Sequence, residues 1–140
     1  MKNGRKITLY HFCAAHDLRS ILENGITEGC TPIWEAGKLR AERNTQWLTA
    51  DSDPNRQSWN TQRALPYSRT AYRLTVNIPH SHRKKLIPAR EFMERYPSEN
   101  AGLVEGWLGS AYWYVFCGRI PPSWIVGYRN TGGARKENRE

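Results

Sequence analysis

The strongest constraint on the fold comes from residues 71–78, which read Ala-Tyr-Arg-Leu-Thr-Val-Asn-Ile. Apolar and polar side chains alternate here and β-favouring types dominate, which is typical of a strand that buries one face; Pro79 ends it. Shorter segments with the composition of strands lie at residues 7–11, 46–49, 112–117 and 124–128. Together with short helices, these segments predict one α+β domain built on a largely antiparallel sheet.

Helices are predicted between these strands from their capping residues. Asp17 can cap a helix that Gly25 would end, and Pro88 opens another that Pro97 closes. Weaker helical patterns lie at residues 55–64 and 98–108. The sequence therefore predicts a few short helices, none long enough to dominate the fold.

The remaining segments carry signals of connections and of a tail. Residues 26–43 mix charged and apolar side chains and are interpreted as a long, partly irregular connection, and residues 80–85 as a basic loop. We find no repeat and no linker long enough to divide the chain. Residues 1–129 are thus predicted to form the domain, and the polar residues 130–140 a disordered tail.

The charge balance indicates the kind of partner. The chain has 21 basic and 13 acidic residues, a net charge of +8, and the surplus lies entirely beyond residue 35. Of the basic residues 15 are arginines, whose planar guanidinium pairs with phosphate and carboxylate groups. Scattered charges of this kind commonly form a solvated surface, and a nucleotide or a nucleic acid is the sharper alternative.

Several classes of protein are disfavoured. No run approaches the roughly 18 apolar residues of a membrane span, and the basic start of the chain leads into no signal-peptide apolar region, so we expect a cytoplasmic protein without a membrane partner. The three cysteines cannot all pair within one chain, and their spacing matches no zinc signature: Cys13, Cys30 and Cys117. We interpret them as reduced thiols and expect no metal site.

Two neighbouring segments carry a family resemblance. Residues 9–13 read Leu-Tyr-His-Phe-Cys, and residues 18–26 read Leu-Arg-Ser-Ile-Leu-Glu-Asn-Gly-Ile. They resemble the start of ADP-ribosyltransferase-like domains, in which a strand ending in Tyr-His-x-Thr/Ser precedes a helix ending in Ile-Leu-x-x-Gly-Leu/Ile. Residues 47–49, 72–76 and 113–126 resemble later strands of that family in the same order. The resemblance spans about residues 7–129 and implies a split antiparallel β-sheet that binds NAD.

The resemblance also implies roles for individual residues. In that family the histidine contacts the adenosine-side ribose of NAD, so His11 is expected to orient a ribose, while Thr49 lines the pocket and an arginine holds the pyrophosphate. The expected NAD-binding residues are Tyr10, His11, Phe12, Cys13, Trp47, Thr49, Tyr67, Arg69, Tyr112 and Arg119. Among the aromatic residues, Trp47 and Tyr67 are the preferred stacking candidates, although core packing is the commoner role of such side chains.

The chain departs from the family pattern at its catalytic position. Many members have a glutamate at the head of the closing strand, where this chain has Tyr112, and Glu105 is the nearest replacement, although a solvent-facing helix residue is its commoner role. The RNA 2′-phosphotransferase branch of the superfamily manages without that glutamate and uses arginines and a histidine. Arginines in or beside predicted strands suit such a site: Arg69, Arg73 and Arg119. The predicted catalytic residues are therefore His11, Arg73 and Glu105.

Two functional hypotheses follow. The first is an NAD-dependent ADP-ribosyltransferase-like enzyme that releases nicotinamide and transfers ADP-ribose to a protein, nucleic-acid or phosphate acceptor. The second is a catalytically degenerate basic module on the same fold that binds nucleic acid or a protein partner. A small single domain also suits a phage or toxin effector by analogy.

Overall fold

Six antiparallel strands form the central sheet of the computed structural model, which describes residues 5–54, 69–95 and 110–131. The strands are β1 (Lys6–Cys13), β2 (Cys30–Glu35), β3 (Lys38–Arg43), β4 (Thr45–Thr49), β5 (Tyr72–Pro79), β6 (Leu86–Pro88), β7 (Trp113–Cys117) and β8 (Ile125–Asn130). The helices are α1 (Leu18–Asn24) and α2 (Ala89–Met93), with 3₁₀ turns at Ala15–Asp17, His80–Lys85, Ser110–Tyr112 and Pro122–Trp124. The sheet order is β6-β7-β4-β1-β5-β8, and β2 and β3 form a separate hairpin. The predicted α+β class is confirmed.

Apolar side chains pack on both faces of the sheet. One cluster, which Ile21 of α1 joins, contains Leu9, Leu48, Val76, Ile78, Phe116 and Ile120. The other joins the sheet to α2 and β2 through Ile33, Ile87, Phe92, Met93, Trp113 and Val115. The alternation in residues 71–78 follows from this arrangement, because Leu74, Val76 and Ile78 are fully buried while the residues between them are half-buried. Each buried side chain of this size contributes roughly 1.5–3 kcal/mol.

The sheet splits between β1 and β4. Strand β1 pairs with β5 along its whole length, and β4 pairs with β7 at all five of its residues. Between β1 and β4, however, the only register pair is Tyr10 with Thr49. The two strands diverge beyond that pair, and their separation opens a cleft between α1 and the edge of β4.

Helix α1 ends as the sequence predicts but begins differently. Gly25 follows its last residue with φ 89°, a conformation that favours glycine, and the next residue, Ile26, pairs with Ile120. Asp17 precedes the helix, yet its side chain makes no capping hydrogen bond. Its backbone is already helical because a 3₁₀ turn precedes α1, whereas capping geometry needs an extended residue. The carboxylate instead lines the cleft.

The interpretation of residues 26–43 as an irregular connection is wrong, because most of this segment is the β2–β3 hairpin. Its loop is Ala36-Gly37, and both residues have positive φ, as in the tight turns that match strand twist. Ala-Gly lacks the Asn-Gly signature that announces such a turn. Three of the charges that obscured the alternation pair on the hairpin surface, where Arg40 binds both Glu35 and Glu42.

Other boundaries differ by a few residues. Residues 80–85 form a 3₁₀ turn rather than a loop, β6 was not predicted, and the last strand runs through Asn130, which pairs with Tyr72. The predicted helices at residues 55–64 and 98–108 lie outside the described residues, as does the tail from residue 132. Within the described ranges, no helix has the length and apolarity that crossing a membrane requires.

Candidate functional site

A cleft of about 920 Å³ occupies the gap that the divergence of β1 and β4 creates. The end of β1, helix α1, residues 25–30 and β4 form its walls. This volume lies within the roughly 300–1,000 Å³ of sites for small ligands and cofactors. The cleft brings together six of the residues predicted to bind NAD: His11, Phe12, Cys13, Trp47, Arg69 and Arg119.

Three alternate residues of β4 have partners on the side that faces the cleft. The backbone N–H of Thr45 donates to the carbonyl of Gly29 at 3.4 Å, and Thr49 faces Tyr10 of β1. Between them, the carbonyl of Trp47 accepts a hydrogen bond from Nδ1 of His11 at 2.9 Å. The imidazole therefore takes the place of the β1 backbone where the sheet splits, since a buried carbonyl without a partner is costly.

Burial sets the protonation state of His11, and this contact sets its tautomer. Burial lowers its pKa below the usual 6.5, and this effect outweighs the Trp47 carbonyl and the charge of Asp17, both of which favour protonation. The ring is therefore neutral at neutral pH. Because a carbonyl can only accept, the proton lies on Nδ1, and Nε2 is left as an acceptor. Nε2 has no partner among the described residues, so a ligand hydroxyl can donate to it.

A pH dependence of stability follows from the lowered pKa. The unfolded chain protonates His11 near the ordinary value of 6.5, whereas the folded protein resists protonation, so stability is present above about pH 6.5 and is lost as the pH falls below it. The free energy of unfolding should therefore fall between about pH 7.5 and 5.5 in the wild type, with a contribution from His11 of at most about 1.4 kcal/mol per pH unit. We expect His11→Gln to remove this contribution to the slope. Urea denaturation at several pH values measures this. The matched control is His80→Gln, a substitution outside the cleft, which should keep the wild-type pH dependence. The prediction would be contradicted if His11→Gln also kept it in full.

Trp47, one of the residues lining the cleft, has a side chain that is fixed by a chain of hydrogen bonds. Its Nε1 donates to Oγ1 of Thr31 at 3.0 Å, the hydroxyls of Thr31 and Thr45 are 2.8 Å apart, and Thr45 donates to the Glu42 carbonyl at 3.0 Å. Because an indole N–H only donates and a carbonyl only accepts, this chain of hydrogen bonds has one direction. The ring also packs edge-to-face on Trp113, with centroids 5.8 Å apart. Trp47 is thus held in place before any ligand binds.

Gln46 is a residue of the site that the sequence reasoning missed. It is fully buried, its Oε1 accepts from the backbone N–H of Gly29 at 2.9 Å, and its Nε2 donates to the carbonyl of Gly118 at 3.0 Å. The side chain therefore ties the 27–29 segment and the loop carrying Arg119 to β4. The one available signal was a polar residue two positions from buried Leu48, on the same face of a predicted strand.

Charges of both signs line the cleft. The cations Arg69 and Arg119 and the carboxylates Asp17 and Glu28 are all exposed there. Such a lining suits a ligand that carries both a negative and a positive group. Cys13 adds no charge, because burial raises its pKa to about 12 and keeps the thiol protonated. All three cysteines are free.

Arg73, predicted as catalytic, lies away from the cleft. Its register partner in β1 is Phe12 rather than His11, so Arg73 and His11 point to opposite faces of the sheet. The guanidinium lies over the Tyr10 ring, 5.2 Å from the centroid, and donates to the Ser52 carbonyl at 3.1 Å. Its Nε is buried and has no hydrogen-bond partner in the described structure. The contacts of Arg73 are therefore those of a residue packed within the fold.

Three other predicted residues also lie outside the cleft lining: Tyr10, Thr49 and Tyr112. Tyr10 is covered by Arg73, and Thr49 is buried with its hydroxyl accepting from the Asp51 backbone N–H. Tyr112 lies in the 3₁₀ turn before β7, is 55% exposed and is not among the residues that line the cleft. Tyr67 and Glu105 fall outside the described residues. Within the described ranges, no three metal-ligating side chains come together.

Comparisons with protein-family models, with curated proteins and with solved structures found no significant match to this chain.

Proposed function

We propose that the cleft binds NAD and that the protein is an ADP-ribosyltransferase-like enzyme. The observation that carries the proposal is His11, a neutral imidazole fixed by the Trp47 carbonyl at the point where the sheet splits. Its free Nε2 acceptor is suited to a ribose hydroxyl. The surrounding lining matches the remaining groups of NAD, because arginines pair with a pyrophosphate and carboxylates favour a positively charged nicotinamide ring.

The chemistry of this proposal is a group transfer. The bond between nicotinamide nitrogen and ribose C1′ breaks, nicotinamide leaves with the bonding electrons, C1′ bonds to the acceptor, and the acceptor releases a proton. His11 would orient a ribose, and Arg69 and Arg119 would hold the pyrophosphate. Asp17 and Glu28 are the carboxylates in the described cleft that could stabilise positive charge developing on the ribose.

Titration calorimetry with NAD tests the binding. We expect wild-type protein to bind NAD and His11→Ala to bind roughly three- to tenfold more weakly, because one hydrogen bond is lost. His80→Ala, a histidine outside the cleft, is the matched control and should bind as wild type does. Absence of binding by the folded wild-type protein at millimolar NAD would refute the proposal.

The alternative is a module that binds a partner without catalysis. Tyr112 favours it, because this exposed aromatic residue stands where the resemblance leads one to expect a catalytic glutamate. Nicotinamide release discriminates between the two. An enzyme forms nicotinamide from NAD and loses that activity in His11→Ala, whereas a binding module forms none.

A further inference from the structure

A second cavity adjoins the cleft. Its volume is about 440 Å³, and the 3₁₀ turn His80–Lys85 and the loop before β8 contribute to its walls. The cavity and the cleft share three lining residues: Asn24, Thr27 and Arg119. A ligand in the second cavity would therefore lie directly beside a ligand in the cleft.

The second cavity is positively charged. Its described lining residues include the cations Lys85 and Arg119 and no carboxylate. Exposed Arg83 and Lys84 extend the charge along the same 3₁₀ turn, which contains no acidic residue. No ion pair neutralises Lys84, Lys85 or Arg119 within the described ranges. The surface therefore favours an anion with more than one charged group.

Aromatic rings stand beside these cations. His82 and Trp124 both line the cavity, with ring centroids 4.9 Å apart. Phe116 packs edge-to-face on Trp124 at 5.6 Å and supports it from the core. Supported aromatic rings next to unpaired cations are the usual means of binding bases and phosphates of a single strand. The volume is within the range for a small ligand, so the cavity accommodates one unit of such a strand.

We propose that this cavity binds one nucleotide of a single-stranded nucleic acid, whose phosphates follow Arg83, Lys84 and Lys85. A base that is paired and stacked in a duplex cannot enter a cavity of this kind, which is why we infer a single strand. Arg119 places the bound strand next to the cleft. If the proposed function holds, the strand is the acceptor of ADP-ribose; that role rests on the proposed function, whereas the binding itself does not.

Fluorescence anisotropy with fluorescein-labelled oligo-dT and oligo-rU tests the site, with Lys84→Ala/Lys85→Ala as the variant. Loss of two phosphate contacts should reduce the slope of log affinity against log salt by about 1.4, which weakens binding roughly 25-fold at about 0.1 M salt. The control Lys38→Ala/Arg90→Ala removes the same charge at exposed positions that line neither cavity. It should bind within about twofold of wild type.

The outcomes are distinct. A single-strand site would be overturned by any of three results: equal weakening by the control variant, equal affinity for a duplex of the same sequence, or equally good competition by poly-glutamate. NAD titration of Lys84→Ala/Lys85→Ala separates the two proposals, because these lysines do not line the cleft and NAD affinity should be unchanged. Strand binding without NAD binding refutes only the enzyme, and NAD binding without strand binding refutes only this inference.

Discussion

Replacing Gly25 with alanine is expected to lower the free energy of unfolding by roughly 3–5 kcal/mol, which is a large share of a small domain's stability. Two effects combine. Gly25 has φ 89° and ψ −176°, a conformation that is essentially restricted to glycine. A Cβ there would also lie 2.1 Å from the carbonyl oxygen of Ile120. That oxygen accepts from the Ile26 N–H at 2.9 Å, and the Ile120 N–H donates back at 3.0 Å, so the clash breaks both hydrogen bonds.

Gly37→Ala is the matched control for this prediction. Gly37 also has positive φ, at 77°, but a Cβ at that position would have nothing within 4 Å. Its substitution should therefore cost only the backbone strain, about 1 kcal/mol. Urea denaturation of both variants measures the difference. Equal and small effects would mean that the bridge between Ile26 and Ile120 tolerates displacement. Because Gly25 and Ile26 line the cleft, Gly25→Ala should also weaken NAD binding if the proposed function is correct.

The strands in which alternate residues are buried were predictable from the sequence. Period-two alternation survives in β5, where Leu74, Val76 and Ile78 face the core. It was hidden in β3, whose charged side chains are largely exposed; among them, Arg40 pairs with Glu42 in the same strand and with Glu35 across the hairpin. The alternation of apolar and polar residues therefore locates a strand when one of its faces is buried. It fails to do so when charged side chains occupy the exposed positions of a hairpin.

The site was predictable only in part. The position of His11 and the resemblance around it lead to six of the residues that line the cleft, but the same reasoning includes Arg73 and omits Gln46. Arg73 and His11 both lie in predicted strands, yet the register puts them on opposite faces of the sheet. Register depends on pairing between distant segments, and a shift of one residue exchanges the faces. The contacts of Gln46 with Gly29 and Gly118 are also long-range, so no local motif marks them.

Gln46→Leu is expected to destabilise the protein by roughly 2–4 kcal/mol, although leucine has a similar size. The substitution leaves the N–H of Gly29 and the carbonyl of Gly118, both part-buried, without their side-chain partner. An orphaned polar group costs about 1–3 kcal/mol when buried, and two part-buried groups lose their partner here. Denaturation by urea gives the loss. A loss below about 1 kcal/mol would show that water or a shift of the 27–29 segment replaces the side chain.

Gln46→Glu separates hydrogen bonding from packing, because the two side chains have nearly the same shape. An ionised glutamate cannot donate to the Gly118 carbonyl, and its charge is buried, so the variant should be less stable than wild type at neutral pH. Burial raises the pKa of a carboxyl group, and a group whose pKa is raised in the folded state loses stability as the pH rises. Protonation restores a donor to Gly118, so stability should recover towards acid pH. Gln46→Leu has no such group, and a parallel pH dependence of the two variants would contradict the role assigned to this hydrogen bond.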